Sequence, residues 1–210
     1  MAHPSSKLRT ALVALPFVMT AAAVTTASAD DASWYTGGQG SAVFQDDADA
    51  DGAVTFSNDY NVGYGLGGIL GYEFGNGFRT EAELGYQHSN LDNGGDGSNS
   101  ALYGLASGYY DFNMGTHNPW KPYLGGGIGY ADIRMDGTPG ANPSVDDSDQ
   151  VPVYALAAGV GYELSPQTTL FAGYRYIAAI EQPSMTNSAG QGFDLDYGTH
   201  NAQVGMRYKF

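Results

Sequence analysis

Cysteine is absent from the 210 residues, so the chain has no disulfide framework, no thiol nucleophile and no zinc–thiolate site. Basic residues are scarce as well. Eight Lys and Arg stand against twenty-two Asp and Glu, a formal net charge of −14, which excludes a basic face for nucleic acid. No segment past residue 29 is continuously apolar over the ~18 residues that a membrane-spanning helix requires. Lysine and leucine are few, whereas thirty-one glycines and sixteen tyrosines point to many twisted strands rather than helices.

The N-terminus decides which residues count as structure. Met1 to Ala29 carries two basic residues (Lys7, Arg9), an apolar stretch from Ala11 to Val24 broken by Pro16, and the small-residue sequence Ala27-Ser28-Ala29. Such a stretch is too short for a retained anchor of about 20 apolar residues and has the form of a secretory signal peptide. The expected division is therefore a signal peptide over 1–29 and one β-barrel domain over 30–210. Losing Lys7 and Arg9 with the leader takes the net charge from −14 to −16.

Eight strand-like blocks follow, at 33–43, 60–74, 78–89, 100–112, 121–134, 151–164, 168–181 and 196–210. They are longer than the mode of about 5–6 residues in globular sheets. Tilted strands that cross a bilayer need about 9–11 residues plus some extension. Long connections (44–59, 90–99, 135–150, 182–195) alternate with shorter ones (75–77, 113–120, 165–167). Membrane barrels with long extracellular loops and short periplasmic turns show this alternation. The even strand count also places both ends of the barrel domain on the periplasmic side.

Alternation within the blocks distinguishes a membrane barrel from a soluble one. Ala202, Val204, Met206, Tyr208 and Phe210 share one face of the last block, with Asn201, Gln203, Arg207 and Lys209 on the other. Leu170, Ala172, Tyr174 and Tyr176 likewise oppose Thr169, Gly173 and Arg175, and Ala82, Leu84 and Tyr86 oppose Arg79, Glu81, Glu83 and Gln87. Blocks 33–43 and 100–112 are ambiguous, with Gly, Ala and Tyr on both faces. A soluble barrel would turn the apolar face inward. Here the polar face carries charges in mid-strand, and the apolar face carries aromatics near its ends, as in the girdles at two membrane interfaces. Tyr72, Phe74, Phe78, Tyr162, Tyr208 and Phe210 are expected in the periplasmic girdle, and Tyr60, Tyr64, Tyr86 and Tyr130 toward the outer one. The expected fold is an all-β, eight-stranded antiparallel up-and-down transmembrane barrel.

Barrels of about eight strands have interiors just filled by side chains. Gly63, Gly65, Gly67, Gly125, Gly127, Gly129, Gly159 and Gly161 are expected to leave room for charged neighbours. Glu73, Glu81, Glu83, Glu163, Arg175 and Arg207 are expected to point inward as a lumen charge network, because buried charges persist only when paired and hydrogen-bonded. This favours an ionic plug, with a gated, narrow conductance as the alternative.

Successive short motifs carry a family resemblance. They include Trp34-Tyr35, Gly71-Tyr72-Glu73-Phe74, Phe78-Arg79-Thr80-Glu81-Ala82-Glu83-Leu84-Gly85-Tyr86, Tyr109-Tyr110-Asp111-Phe112 and the run from Lys121 to Tyr130. Gly159-Val160-Gly161-Tyr162, Gly173-Tyr174-Arg175-Tyr176 and Val204-Gly205-Met206-Arg207-Tyr208-Lys209-Phe210 complete them. Their order and spacing resemble the outer membrane protein beta-barrel domain family, the OmpA-like small barrels that include surface antigens and "porin family" proteins. The resemblance covers essentially the whole chain after the leader. It implies an eight-stranded barrel in the outer membrane of a Gram-negative bacterium and no general catalytic activity. It also implies insertion by the barrel-assembly machinery, with Tyr208 and Phe210 as the C-terminal assembly signal. No peptidoglycan-binding domain is expected after the barrel.

Three further constellations could carry chemistry. Asp47-Ala48-Asp49-Ala50-Asp51-Gly52 matches the start of a calcium loop, with Asp47, Asp49, Asp51 and Thr55 as metal candidates. Asn58 stands where the bidentate Glu belongs and strands flank the loop, so a solvated acidic loop is favoured over a weak Ca2+ site. His88-Ser89 pairs a base with a hydroxyl, but adjacent strand residues point to opposite faces, which argues against a lipid-modifying hydrolase. His117 and His200 are expected to stand apart. The acidic loops are expected to be mobile and to meet lipopolysaccharide, with cations bridging to its phosphates. The function expected is a monomeric, cofactor-free barrel with a structural or surface-exposed role in the cell envelope. A narrow porin-like channel is the first alternative, and a lipid-modifying enzyme the second.

Overall fold

The computed structural model describes residues 32–45, 48–52, 57–58, 62–90, 97–115, 118–137, 145–181, 184–186, 192–195 and 197–210. Eight strands build the wall: β1 (Ser33–Gln45), β4 (Gly63–Glu73), β5 (Phe78–Asn90), β6 (Gly97–Asp111), β7 (Trp120–Gly137), β8 (Val145–Glu163), β9 (Thr168–Ala179) and β12 (Gly198–Lys209). They close in the order β1-β12-β9-β8-β7-β6-β5-β4, with each neighbouring pair antiparallel. Closure pairs Tyr35 with Lys209 on one side of β1 and with Gly71 on the other. Such a wall leaves no sheet edge, which is what allows strands to cross a bilayer.

One end of the barrel is joined by short turns. Between β4 and β5, Gly75 and Gly77 take φ of 72° and 89°, a region that a side chain rarely enters. The Asn76 carboxamide oxygen accepts from the Phe78 amide at 3.0 Å and locks that turn. Between β8 and β9, Ser165 Oγ accepts from the Thr168 amide at 3.1 Å. At the opposite end, the short strands β2 (Ala48–Gly52), β3 (Ser57–Asn58), β10 (Ser184–Thr186) and β11 (Gly192–Leu195) form a second sheet in the order β10-β11-β2-β3. The first and last outer connections therefore pair through Asp51 and Asp194.

The β7–β8 hairpin differs from expectation. Residues 135–137 and 145–150, expected to be loop, continue the ladder and make β7 and β8 18 and 19 residues long. Asp, Ser and Gly signal a loop locally, but main-chain pairing does not depend on them once two strands are in register. Gln150 Nε2 also donates to Asp132 Oδ2 across the pair at 3.1 Å.

The wall turns apolar residues outward. Leu84, Ile128 and Val204 are 70, 67 and 63 % exposed, whereas Arg175 and Arg207 inside are 2 and 5 % exposed. A soluble barrel would invert these values, so the outer face is solvated by lipid. Aromatic pairs ring the short-turn end: Trp34–Tyr72, Phe78–Tyr110 and Trp120–Tyr162 lie at 5.2, 4.8 and 4.8 Å between centroids. Tyr64, Tyr86 and Tyr130 are outward at the other end, and Tyr60 lies outside the described residues. The ambiguous strands resolve with Tyr35, Tyr103 and Tyr109 inward and Trp34, Leu102 and Tyr110 outward.

Inward glycines accommodate aromatic rings as well as charges, and of the eight expected to leave room for charges Gly67 and Gly161 do so while Gly125 and Gly159 meet tyrosines. The Tyr35 ring covers Gly71, Tyr103 covers Gly85, Tyr109 covers Gly125, and the Tyr123 hydroxyl reaches Gly159 and Gly173. Charges use the space at Gly67, beside Glu83, and at Gly161, beside Arg207. A side chain at Gly85 must displace the Tyr103 ring, so Gly85→Val should cost at least the ~1–3 kcal/mol typical of overpacking. Gly108→Ala, which faces open space on the lipid side, should stay within ~0.5 kcal/mol of the parent. Urea unfolding of the refolded barrel in lipid vesicles measures both.

Candidate functional site: the charged lumen

Two carboxylates on β5 organise the interior. Glu81 and Glu83 are two residues apart, so both point inward, and they are 4 and 5 % exposed. Glu83 Oε1 accepts from Arg175 Nη1 on β9 at 2.7 Å, Gln39 Nε2 on β1 at 2.7 Å and the Tyr103 hydroxyl on β6 at 2.9 Å. Arg175 Nη2 returns a bond to Gln39 Oε1 at 3.2 Å. Glu81 Oε1 accepts from the Tyr35 hydroxyl at 2.8 Å and from Arg79 Nη1. Arg207 Nη1 approaches the same oxygen at 4.0 Å.

Arg79 joins a third acid, donating from Nε to Asp111 Oδ2 at 2.9 Å. Its guanidinium lies over the Tyr109 ring, 4.0 Å from the centroid, a favourable cation–π position. On the long-loop side, Gln87 Nε2 donates to Asn201 Oδ1 at 2.8 Å, and Asn201 Nδ2 to Thr199 Oγ1 at 3.2 Å. Beside these polar groups lies a dry cluster that includes Ile133, Val151, Val153, Ala155 and Ile177. The lumen is therefore apolar as well as ionic. The void within the charge network measures about 10 Å³, space for about one water.

Of the six residues expected to form the network, Glu81, Glu83, Arg175 and Arg207 meet in mid-lumen. Glu73 and Glu163 do not. They lie at the short-turn mouth, Glu73 against Lys209 and Glu163 with Oε2 3.8 Å from Lys121 Nζ. Both strands end there, so their last residues line the opening rather than the interior. Arg79, Tyr35, Gln39, Tyr103 and Asp111 are partners that were not expected in the network. Arg79 shares the parity of Glu81 and was legible on that ground; Tyr35 and Tyr103 lie on the strands whose faces the sequence leaves ambiguous.

The remaining candidates fall elsewhere. Asp47 and Thr55 lie outside the described residues, and Asp49 and Asp51 contribute their backbones to β2. His88 faces lipid between Tyr64 and Tyr86, with centroids at 5.5 and 6.5 Å, while Ser89 is buried inside. His200 does not stand apart: it packs against Tyr174 and Tyr176, at 5.8 and 4.9 Å, in the outer aromatic girdle. His117 lies outside the described residues. Tyr208 and Phe210 are outward at the short-turn end, 48 and 72 % exposed.

Removing one member of a buried ion pair leaves the other charged and unpaired, a loss of about 3–5 kcal/mol. Glu83→Leu should show it in urea unfolding. Glu83→Leu combined with Arg175→Met should recover most of that loss. At the wetter mouth, Glu73→Ala should cost no more than about 1 kcal/mol.

The sequence pattern of the family described as "Outer membrane protein beta-barrel domain" matches residues 10–210. Among curated relatives, opacity protein opA57 of Neisseria gonorrhoeae is 32 % identical over 162 residues, covering 65 % of this chain and 61 % of the relative. Opacity protein opA50 of the same organism is 31 % identical over 147 residues, covering 58 and 56 %. The chain thus spans less than two thirds of the length of these relatives. Neisserial surface protein A has a similar solved fold, with 23 % identity, a TM-score of 0.56 and coverage of 85 % of this chain and 99 % of that one. A major outer membrane protein of Thermus thermophilus gives 14 % identity, a TM-score of 0.57 and coverage of 85 and 99 %. With that pattern spanning the closed eight-stranded wall and its lipid-facing surface, the chain belongs to the outer membrane protein beta-barrel domain family.

Proposed function

We propose that this protein is a structural, surface-exposed barrel of the bacterial cell envelope that does not pass solutes. The packed lumen carries this reading: Glu81 and Glu83 are bonded to Arg79 and Arg175, Arg207 stands 4.0 Å from Glu81, and the space left among them is about 10 Å³. Water and small solutes would have to break several buried ionic bonds at once to cross. The inward packing of Ile133, Val153 and Ile177 adds a dry barrier toward the long-loop end.

Several finer assignments belong to the same proposal. Residues 1–29 act as a cleaved export signal, which delivers residues 30–210 to the outer membrane. The barrel works as a monomer, without catalytic activity or a resident cofactor, any Ca2+ held by the Asp47–Thr55 loop being weakly bound. Tyr208 and Phe210 are read by the barrel-assembly machinery. The acidic outer connections face lipopolysaccharide, where divalent cations offset like-charge repulsion. The opacity and surface-protein relatives favour a surface role.

A narrow channel is the second reading, favoured by the polar cavity at the short-turn mouth, which Arg207 and Thr169 line. Planar-bilayer recording of the purified barrel separates the two. The parent should show no discrete openings, whereas Glu83→Ala combined with Arg175→Ala should introduce them by emptying the network. Reproducible single-channel steps from the parent would establish the channel instead.

A further inference from the structure

The short-turn mouth encloses a cavity of about 570 Å³ whose lining includes Arg207, Lys121, Lys209, Thr169 and Asp111. Arg207 is 5 % exposed, yet its Nε and Nη1 have no hydrogen-bond partner among the described residues. The Glu81 carboxylate keeps its Oε1 4.0 Å away and already accepts there from Tyr35 and Arg79. Asp111 has a complementary vacancy, since Oδ2 takes the Arg79 bond while the buried Oδ1 accepts from none of the described residues. A buried group left without partners costs about 1–3 kcal/mol, more when charged. Arg207 and Asp111, the residues that carry these unpaired atoms, both belong to the lining of the same cavity.

We propose that this mouth binds a protonated phosphate group, either the free ion or a phosphomonoester. Its oxygens accept from Arg207, whose planar guanidinium suits tetrahedral oxyanions, and its P–OH donates to Asp111 Oδ1. Lys121, held only loosely by Glu163 at 3.8 Å, supplies a further cation at the rim. The acids Glu73, Glu163 and Asp111 balance the three cations of the lining, so selection depends on matching donors to acceptors rather than on net field. Sulfate and carboxylate anions offer acceptors alone and would set an oxygen against Asp111. Inorganic phosphate keeps a P–OH near neutral pH and satisfies both sides; a monoester does so in its monoanionic form, which predominates below its second pKa of about 6. The site opens at the mouth and does not depend on whether the lumen conducts.

Calorimetry on the full-length barrel, extracted from outer membranes in an uncharged detergent, tests this with inorganic phosphate, glycerol 3-phosphate and sulfate as probes. Saturable heat is expected with phosphate, with sulfate at least tenfold weaker. Glycerol 3-phosphate binding tighter than inorganic phosphate identifies the monoester as the physiological form, and the reverse order identifies the free ion. Arg207→Gln should weaken phosphate at least tenfold, and Lys121→Gln, at the hydrated rim, about threefold. Asp111→Asn, which adds a donor, should narrow the preference for phosphate over sulfate. Heat-modifiable gel mobility shows whether each variant is folded; if Arg207→Gln does not fold, Lys121→Gln and Asp111→Asn decide. No saturable heat from the parent, equal affinity for sulfate, or unchanged affinity and selectivity in the folded variants would overturn the proposal.

Discussion

Carboxylates inside a lipid-solvated wall must be hydrogen-bonded by the protein itself. The charge network leaves space for only about one water, and the wall offers lipid on its other side. Glu83 meets this demand with donors from β1, β6 and β9, and Glu81 with donors from β1 and β5. The bonds run across the barrel as well as around it. Register is thereby held twice, once by main-chain pairing and once by side chains from non-adjacent strands. A slip of one residue would turn every side chain of a strand to the other face. For β9 that would send Arg175 into hydrocarbon, at a cost of about 2–4 kcal/mol at the bilayer midplane.

Space inside the barrel follows from the same demand. Tyrosine brings a hydroxyl to a carboxylate only if its ring has somewhere to lie, and the facing glycines provide that room. Tyr35 over Gly71 and Tyr103 over Gly85 are two such pairs, each ring carrying its hydroxyl to a glutamate. Inside the barrel, Gly and Tyr are thus one packing solution, whereas the outward tyrosines belong to the girdles. Toward the long-loop end, aliphatic side chains of β6 to β9 replace the charges and pack dry. Toward the short-turn end the filling stops at Arg207, and the lumen widens into the polar mouth.

Charge is distributed along the axis with the same economy. After residue 29, the basic residues are Arg79, Lys121, Arg134, Arg175, Arg207 and Lys209. Three neutralise acids in the lumen, Lys121 and Lys209 sit at the mouth, and Arg134 alone lies toward the long-loop end. Most acids belong to the outer connections, so the two ends of the barrel present different electrostatic surfaces.

The number of wall strands, the central part of each and, outside β1 and β6, the lipid-facing set were determined by sequence alone. Period-two alternation is a local property, and charges in mid-strand can face only the lumen. The inward direction of Glu81, Glu83, Arg175 and Arg207 was legible for the same reason. Three things were decided by tertiary structure. The faces of β1 and β6 depended on which glycines their tyrosines met across the wall. The separation of Glu73 and Glu163 from the central network depended on where β4 and β8 end relative to their neighbours. The pairing of Glu83 with Gln39, Tyr103 and Arg175 depended on closure, which brings β1, β6 and β9 to one point although they are far apart in the chain.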